Sequence, residues 1–423
     1  MTSNYDVIVV GAGASGAVAS IAAARNGCRT LLVEKENCSG GQATAGLLCL
    51  WGPFDDGKQR IIRGIPEEIL ENTIAAGGAL PRKHGFIPVN PETLKIILDC
   101  MLEEAGAEVL YHSICVEARA QEGLIRDITV ANKAGLQSLS AAVYIDATGD
   151  GDLAVKAGAL WEMGTDPEGF VQPMTMLCRL GGINESVYCW EGNFKYREKI
   201  LESRQAGEIS FDATGIGAAE YIPGQRGVIA VNMSHIFDLD PLSPSDVSKA
   251  EMLGRKYAQE IVNFFRKNIP GCENAFLIDT AMQVGVRESR RILGEYTITL
   301  EDVISGRRFD DAIAANAYHI DIHTKSKEAG RLASVNSQRP REYYQIPFRA
   351  LIPKGLSNML VVGRCISCTS EALASIRIMP CCMATGHAGG TAAALAVKGG
   401  IPVREVPSSR LQEKLREENA FID

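Results

Sequence analysis

The first 34 residues alternate apolar runs with small residues, which is the pattern of a strand, a helix and a second strand. Residues 6–10 form a short apolar run that predicts a buried strand, and residues 17–25 predict an alanine-rich helix that ends at Asn26-Gly27. Residues 30–33 predict a second strand, which ends at Glu34. This order predicts a βαβ unit at the start of the chain.

The turn between the first strand and the helix carries the spacing G-x-G-x-x-G, with glycines at 11, 13 and 16. Gly11 permits the tight turn, Gly13 lets the backbone approach a pyrophosphate, and Gly16 lets helix and strand pack closely. Free N–H groups at the start of the helix would bind the phosphates. Glu34, which follows Gly11 by 23 residues, would accept a hydrogen bond from a ribose hydroxyl. The unit predicts a dinucleotide site, and a chance glycine-rich turn is the alternative.

Further elements follow from the same kind of pattern. An amphipathic helix is predicted over 91–105, with short strands around 108–118, 124–131 and 138–145. The last of these strands runs into the glycine-bearing turn Ala147-Thr148-Gly149.

The second half of the chain has fewer glycine clusters and more charge, from about 165 to 345. A helix is predicted from a cap at Ser243 to about Asn268. A strand is predicted over 359–362, and a helix of small residues over about 381–397. The stretch 214–219 has two glycines at dinucleotide spacing but lacks a preceding strand, so we interpret it as a loop.

Composition narrows the classes of function. The length of 423 residues predicts two or three domains, and 43 basic against 51 acidic residues give a net charge of −8. An acidic chain without a basic block argues against binding to nucleic acid or to an anionic membrane surface. The N-terminus lacks a basic leader, and apolar runs fall short of the roughly 18 residues of a membrane span, so a cytoplasmic protein is expected. The twelve cysteines are then expected as free thiols.

Together these motifs resemble a known family. Gly11–Gly16 with Glu34, the loop 40–46 and the stretch 146–150 look like the FAD signatures of the glutathione-reductase-like superfamily. The stretches 285–291 and 363–384 are similar to the FAD-dependent oxidoreductases of bacteria that are loosely likened to fumarate-reductase flavoproteins. The resemblance covers nearly the whole chain.

The resemblance implies an α/β protein with a Rossmann-type, glutathione-reductase-like FAD-binding domain and an inserted α+β substrate (cap) domain. The FAD domain would comprise 1–160 and 346–423, and the cap 161–345. Relatives in the wider superfamily carry Gly-Asp where this chain has Gly363-Arg364, which changes the expected ribitol contact. The residues predicted to bind FAD are Gly11, Gly13, Ala14, Ser15, Gly16, Glu34, Lys35, Gly41, Gln42, Ala43, Thr44, Val116, Ala147, Thr148, Gly149, Gly363, Arg364 and Met379.

Three residues are candidates for the chemistry. His323 is the preferred proton-transfer residue, because an extended stretch would place it on one face with His319 and Asp321. A metal site and a merely hydrogen-bonded face are the alternatives, and no metal is predicted. Arg287 and Arg377 suit a substrate carboxylate or the charge on a flavin, whereas structural ion pairs are the alternative.

The predicted function is hydride transfer between flavin N5 and a small polar organic substrate, by CH–OH or CH–CH oxidation or by C=C reduction. With a single dinucleotide fingerprint, electrons would be exchanged with an external partner: O₂, a quinone, a nicotinamide or a redox protein. Two other functions stay open, a dithiol/disulfide oxidoreductase using Cys365/Cys368 or Cys381/Cys382, and a non-catalytic flavin redox sensor. A homo-oligomer is also compatible with the sequence.

Overall fold

A computed structural model describes residues 4–423 except 83, 166–168, 191, 193–194, 214 and 326–329. Its strands are β1 (Asn4–Val10), β2 (Thr30–Val33), β3 (Leu50–Trp51), β4 (Ile87–Pro88), β5 (Glu108–Leu110), β6 (Ile114–Gln121), β7 (Leu124–Asn132), β8 (Gly135–Asp146), β9 (Trp161–Glu162), β10 (Cys178–Gly181), β11 (Ala218–Tyr221), β12 (Ile229–Asn232), β13 (Phe276–Thr280), β14 (Arg291–Ile292), β15 (Ala312–Asn316), β16 (Tyr344–Pro347) and β17 (Met359–Val361). Its α-helices are α1 (Ala14–Arg25), α2 (Ile65–Ala75), α3 (Pro91–Ala105), α4 (Asp152–Lys156), α5 (Arg197–Gln205), α6 (Pro244–Asn268), α7 (Leu300–Ser305), α8 (Gly330–Val335), α9 (Ser370–Ile376), α10 (Met379–Gly399) and α11 (Ser408–Glu417).

The main sheet is parallel around β1. β1 pairs in parallel with β2 and β8, β2 pairs with β5, and β17 pairs with the far side of β8. β8 is long enough to pair with a third strand, because its first residues pair antiparallel with β7, which in turn pairs with β6. The predicted βαβ unit is confirmed, and helices cover a sheet whose central strands are buried and apolar.

Helices α1 and α10 cross in backbone contact on one face of this sheet. A Cβ added at Gly386 would lie 2.2 Å from the carbonyl oxygen of Ser15, and one added at Gly390 would lie 2.2 Å from that of Ala19. Only glycine permits this approach, which explains why the C-terminal helix is rich in small residues. The helix begins two residues earlier and ends two residues later than predicted.

A second, antiparallel sheet has the strand order β11-β12-β10-β13. The amphipathic helix α6 packs on it and begins at the predicted cap, where Ser243 Oγ accepts a hydrogen bond from the backbone N–H of Asp246 at 3.3 Å. The apolar core between this sheet and α6 draws on residues between 178 and 275, whereas buried residues from 292 onward belong to the core of the parallel sheet. The domain limits at 161 and 345 stay a prediction.

Two short segments differ from the elements predicted for them. Burial alternates over 317–323, but the segment is not a strand, and its backbone makes isolated hydrogen bonds such as the one from Ser337 N–H to the carbonyl of Ile320 at 2.7 Å. In the stretch interpreted as a loop, Thr214 lies outside the described residues, and residues 215–217 lead directly into β11. In the described part of the chain, no helix combines the length and hydrophobicity needed to cross a bilayer.

Candidate active site

A cavity of about 810 Å³ lies at the carboxyl ends of the parallel strands. Its floor is formed by Val10 and Val33, the last residues of β1 and β2, and by Ala147, directly after β8. The second sheet also contributes to the lining, through Ala218 of β11 and Asn232 of β12. Ligands of open α/β sheets bind at this edge, so the fold itself places the site here.

The turn between β1 and α1 is shaped for close approach. Gly11 has a φ of +96°, and a Cβ on it would lie 2.6 Å from the carbonyl oxygen of Ala147. A Cβ on Gly16 would lie 1.8 Å from the carbonyl oxygen of Gly11, so this residue must also be glycine. Gly13 begins α1 without a side-chain cap, and the first turn lacks an acidic residue. The helix therefore offers free N–H groups and a positive dipole end to an anion in the cavity.

Glu34 lies beside this turn, at the end of β2. Its Oε2 accepts a hydrogen bond from the backbone N–H of Ala12 at 2.5 Å, and its Oε1 accepts one from that of Glu36 at 2.9 Å. The carboxylate is 7% exposed and lines the cavity. Each of its oxygens has a further lone pair, which can accept a ribose hydroxyl.

The loop 40–46 packs directly on the first turn. The N–H of Gly40 donates to the carbonyl of Ala12 at 2.8 Å, and a Cβ on Gly41 would lie 2.9 Å from the Cα of Gly13. Gly41 and Gln42 line the cavity. Ala43 and Thr44 do not line the cavity. Thr44 stabilises the loop, because its Oγ1 donates a hydrogen bond to the carbonyl of Ser39 at 2.7 Å.

Another part of the cavity wall is formed by Arg364, which pairs with Asp150. Its Nη2 donates to Asp150 Oδ1 at 2.6 Å, and its Nη1 donates to Ser289 Oγ at 2.8 Å. Ser289 in turn donates to the same carboxylate oxygen at 2.5 Å. Burial acts to raise the pKa of Asp150, but Arg364 and Ser289 hold it below its usual value. A carboxylate is therefore present near the place where relatives carry Asp, supplied by another strand end.

The remaining side of the cavity is a cluster of ionisable side chains from distant segments. Arg377, at the end of α9, donates through Nη2 to the carbonyl of Asp321 at 2.8 Å and to its Oδ2 at 3.1 Å. The other carboxylate oxygen of Asp321 lies 3.3 Å from His323 Nε2. His323 and Asp321 share a face, as the alternating pattern predicts, and His319 lines the same cavity.

Arg287 faces this cluster from the segment after β13. Its Nη1 donates to the carbonyl of Pro173 at 2.9 Å and to Thr175 Oγ1. Burial, followed by the like charge of Arg377, lowers the pKa of Arg287 to about 9. The guanidinium is still charged at neutral pH. Two arginines and one carboxylate thus leave an excess positive charge in the wall of the cavity.

The surroundings of the cluster disfavour the protonated form of its histidines. Burial, followed by Arg287, lowers the pKa of His323, although Asp321 acts in the opposite direction. Burial also acts to raise the pKa of Asp321, but His323, Arg377 and Arg287 hold it well below its usual value. Within the described residues, no three His, Cys, Asp or Glu side chains are arranged to hold a metal ion. The cluster is therefore one of hydrogen bonds and ion pairs.

The neighbouring arginines have structural partners. Arg291 Nη1 donates to Glu288 Oε1 at 2.7 Å, and both side chains are buried. Arg290 donates to the carbonyl of Asp150 at 2.7 Å and pairs with Asp152. Of the three arginines in 287–291, only Arg287 lines the cavity.

The cysteines are free thiols. Burial raises the pKa of both Cys368 and Cys382 to about 12, and it raises that of Cys365 and Cys381 well above the usual value. Only Cys382 among these four lines the cavity. Such thiols lack the lowered pKa that redox-active pairs use.

Comparison with known proteins decides the family. The model of the FAD dependent oxidoreductase family matches residues 6–415. The chain belongs to this family. No curated protein matches the sequence.

Several solved structures align with this FAD-dependent oxidoreductase at low sequence identity. OxyS anhydrotetracycline hydroxylase from Streptomyces rimosus aligns with a TM-score of 0.50 at 11% identity, over 97% of this chain and 65% of that chain. A geranylgeranyl bacteriochlorophyll reductase-like protein from Thermoplasma acidophilum aligns with a TM-score of 0.47 at 13% identity, over 100% and 85%. The flavin-dependent brominase Bmp2 gives 0.47 at 14% identity, over 99% and 84%. This chain thus spans about two thirds of the hydroxylase.

The α/β fold class with a Rossmann-type unit is confirmed, and FAD is the cofactor of this enzyme. The cavity fits FAD because the uncapped start of α1, the glycine turn and Glu34 meet in one wall. Most residues predicted to bind FAD line the cavity: Gly11, Gly13, Ala14, Ser15, Glu34, Lys35, Gly41, Gln42, Ala147, Thr148, Gly149, Arg364 and Met379.

A few predicted residues lie elsewhere. Gly16 and Gly363 lie outside the cavity lining, as do Ala43 and Thr44. Val116 is exposed on β6, and its neighbour Cys115 lines the cavity instead. Sequence reasoning missed Cys115, and strand alternation could not have found it, because the preceding residue Ile114 also lines the cavity.

Proposed function

We propose that this FAD-dependent oxidoreductase transfers a hydride between flavin N5 and a small, negatively charged organic substrate. The reaction would be the oxidation of a CH–OH or CH–CH group or the reduction of a C=C bond. FAD supplies the hydride acceptor or donor. The observation that carries the proposal is the pair Arg287 and Arg377 around Asp321 and His323 in one cavity wall.

The two arginines would bind and orient the substrate. Arg287 uses Nη1 for Pro173 and Thr175, and Arg377 uses Nη2 for Asp321. Both side chains line the cavity, and a guanidinium in a cavity wall is suited to a carboxylate, which accepts two parallel hydrogen bonds. Such an anion would also neutralise the excess positive charge.

His323 would transfer the proton, and the carboxylate of Asp321 would be its charged partner. Removing a hydride from a C–H bond next to a hydroxyl requires a base for the hydroxyl proton. His323 lines the cavity and contacts an ionised carboxylate at 3.3 Å, which stabilises the protonated ring. The same pair would return the proton in the direction of C=C reduction.

Helix α10 adds a fixed electrostatic element. It begins after Ile378 without a side-chain cap, and Met379 and Cys382 of its first turn line the cavity. The free N–H groups and the dipole of a 21-residue helix favour negative charge at this end of the cavity.

The other partners follow from the cofactor and the sequence. An external electron acceptor or donor, such as O₂, a quinone, a nicotinamide or a redox protein, would regenerate the flavin. The acidic composition supports a protein without nucleic-acid partners, and the proposal keeps the expectation of a cytoplasmic protein that is compatible with a homo-oligomer. The high pKa of the buried thiols disfavours the dithiol/disulfide alternative.

The test is anaerobic bleaching of the purified flavoprotein by a panel of small acids and their uncharged analogues. We expect 2-hydroxy acids or saturated carboxylic acids to bleach the flavin, and the matching amides or esters to fail. Arg377→Met should weaken apparent binding of the active acid by about 10-fold to 100-fold, since a charged hydrogen bond contributes about 1.5–3 kcal/mol. Equal bleaching by acids and neutral analogues would contradict an anionic substrate, and a protein that takes up no FAD would contradict the whole proposal.

A further inference from the structure

Two histidines from distant parts of the chain are hydrogen-bonded behind the cavity wall. His235, three residues after β12, places Nε2 3.1 Å from Nδ1 of His323. His323 lines the cavity, whereas His235 is not part of the lining. Nothing in the proposed function uses His235.

The other nitrogen of each ring faces an acceptor. His235 Nδ1 lies 3.3 Å from the backbone carbonyl oxygen of Asp212, which can only accept. His323 Nε2 lies 3.3 Å from the carboxylate of Asp321. That carboxylate is ionised, because His323, Arg377 and Arg287 lower its pKa in spite of its burial, and an ionised carboxylate also only accepts.

Counting protons shows that two neutral rings cannot satisfy this chain. Three contacts run from Asp212 through His235 and His323 to Asp321, and each needs one N–H. A neutral imidazole carries a single N–H, so two rings supply two. One contact must lack its hydrogen whichever tautomers are chosen. A single added proton completes all three.

We propose that His235 and His323 act as one proton-accepting unit, in which the added proton is shared between Nε2 of His235 and Nδ1 of His323. The proton enters and leaves through His323, the member that lines the cavity. His235 is then a positioning residue that holds the far end of the shared proton. The use of this unit in catalysis rests on the proposed function, where it would receive the hydroxyl proton as the hydride passes to FAD.

The surrounding charges determine the pH at which the His235–His323 unit takes up the added proton. Arg287 is the strongest charge acting on both rings, and with burial it lowers the pKa of both. Arg377 acts in the same direction on His323, and Asp321 acts in the opposite direction on both rings. The side chain of Asp212 is paired with Arg204 at 2.8 Å. A negative charge beside the two cavity arginines would therefore favour the added proton.

The direct test is ¹⁵N NMR of histidine-labelled, FAD-loaded protein between pH 9 and pH 5. The chain has six histidines, so each resonance can be assigned with single His→Asn variants. We expect His235 and His323 to titrate with one common midpoint and to take up one proton together, each ring showing part of the full change. Separate midpoints, or a His235 resonance that stays constant while His323 titrates fully, would overturn the proposal.

Two variants test whether the contact with His235 and the charge of Arg287 control the protonation of His323. In His235→Gln the side-chain amide nitrogen takes the place of Nε2 and donates to Nδ1 of His323, which satisfies that contact without an added proton, so the His323 transition should move below pH 5. Arg287→Gln should raise the common midpoint by about one pH unit, as removal of a nearby positive charge does. His112→Asn is the control, because His112 is exposed and far along the chain from the pair. An unchanged His323 titration in His235→Gln would contradict shared protonation.

Anaerobic bleaching on the same samples separates the two proposals. Bleaching by a substrate acid together with independent titration of the rings would overturn the shared proton and leave the proposed function standing. A common midpoint in a protein that no acid bleaches would overturn the proposed function and leave the shared proton standing.

Discussion

Arg364 donates a hydrogen bond to Asp150 at 2.6 Å, which joins the segment after β17 to the turn after β8. Both side chains line the cavity, and Ser289 bonds to both of them. The pair therefore fixes the relative position of two loops that border the FAD site. It also keeps a charged arginine in the wall of this cavity.

Loss of one member of the Arg364–Asp150 pair should destabilise the folded protein. Arg364→Met leaves the Asp150 carboxylate largely buried without its counter-charge, so we expect the free energy of unfolding to fall by about 3–5 kcal/mol and FAD to be retained less well. Urea unfolding and the flavin absorbance per protein measure the two effects. The double variant Asp150→Asn/Arg364→Met should recover part of the stability. A single variant as stable as the parent would contradict the structural role of the pair.

Two glycines of the same turn should respond differently to alanine. Gly16→Ala places a Cβ 1.8 Å from a backbone oxygen and should destabilise the protein by about 3 kcal/mol or more. A Cβ on Gly13 meets no protein atom closer than 3.9 Å, and its φ of −60° suits alanine. Gly13→Ala should therefore change the stability of the FAD-free protein by less than about 1 kcal/mol and weaken FAD binding. Thermal unfolding with and without FAD distinguishes them, and equal FAD affinity in Gly13→Ala would contradict the predicted approach of the pyrophosphate.

The C-terminal segment is held by a largely buried hydrogen bond between a histidine and a carboxylate. His387 Nε2 lies 2.8 Å from Glu418 Oε2, and Thr391 and Asn26 also donate to this carboxylate. Burial acts to raise the pKa of Glu418, but the bond to His387 holds it below its usual value. A depressed pKa contributes stability above the unfolded pKa of about 4.3 and loses it as the pH falls through the lower folded pKa.

Glu418→Gln should therefore be less stable than the parent at pH 7, and the difference should shrink below about pH 4.3. Thermal unfolding at a series of pH values measures it. Glu417→Gln, on the exposed side of the same helix end, is the matched control and should follow the parent. A difference that stays constant down to pH 3 would show that His387 does not stabilise the ionised form.

The buried thiols should be inert. Because burial raises the pKa of Cys368 and Cys382 to about 12, an alkylating reagent at pH 8 should label the exposed Cys100 and Cys189 and leave these two unmodified in the native protein. Mass spectrometry of the digested protein reads this out. Fast labelling of Cys382, or loss of flavin reduction in Cys368→Ser or Cys381→Ser, would revive the dithiol hypothesis.

Much of the FAD site is predictable because its determinants are local. The turn from Gly11 to Gly16, the acid Glu34 at the next strand end and the turn at Thr148 each depend on neighbouring residues and on fixed spacing. A parallel sheet then brings the strand ends to one edge, whatever the rest of the chain does. Val116 shows the limit of this reasoning, because the residues at the start of β6, Ile114 and Cys115, line the cavity in its place.

The sequence by itself determined the βαβ unit, the cofactor turn and the family, since glycine conformation and apolar periodicity act over a few residues. Only the tertiary structure decided which charges meet. Arg287 faces Arg377 and Asp321, whereas Arg290 and Arg291 close ion pairs with Asp152 and Glu288. His235 reaches His323 across 88 positions of chain. Electrostatic partners depend on distances across packed segments, and sequence order contains no measure of those distances.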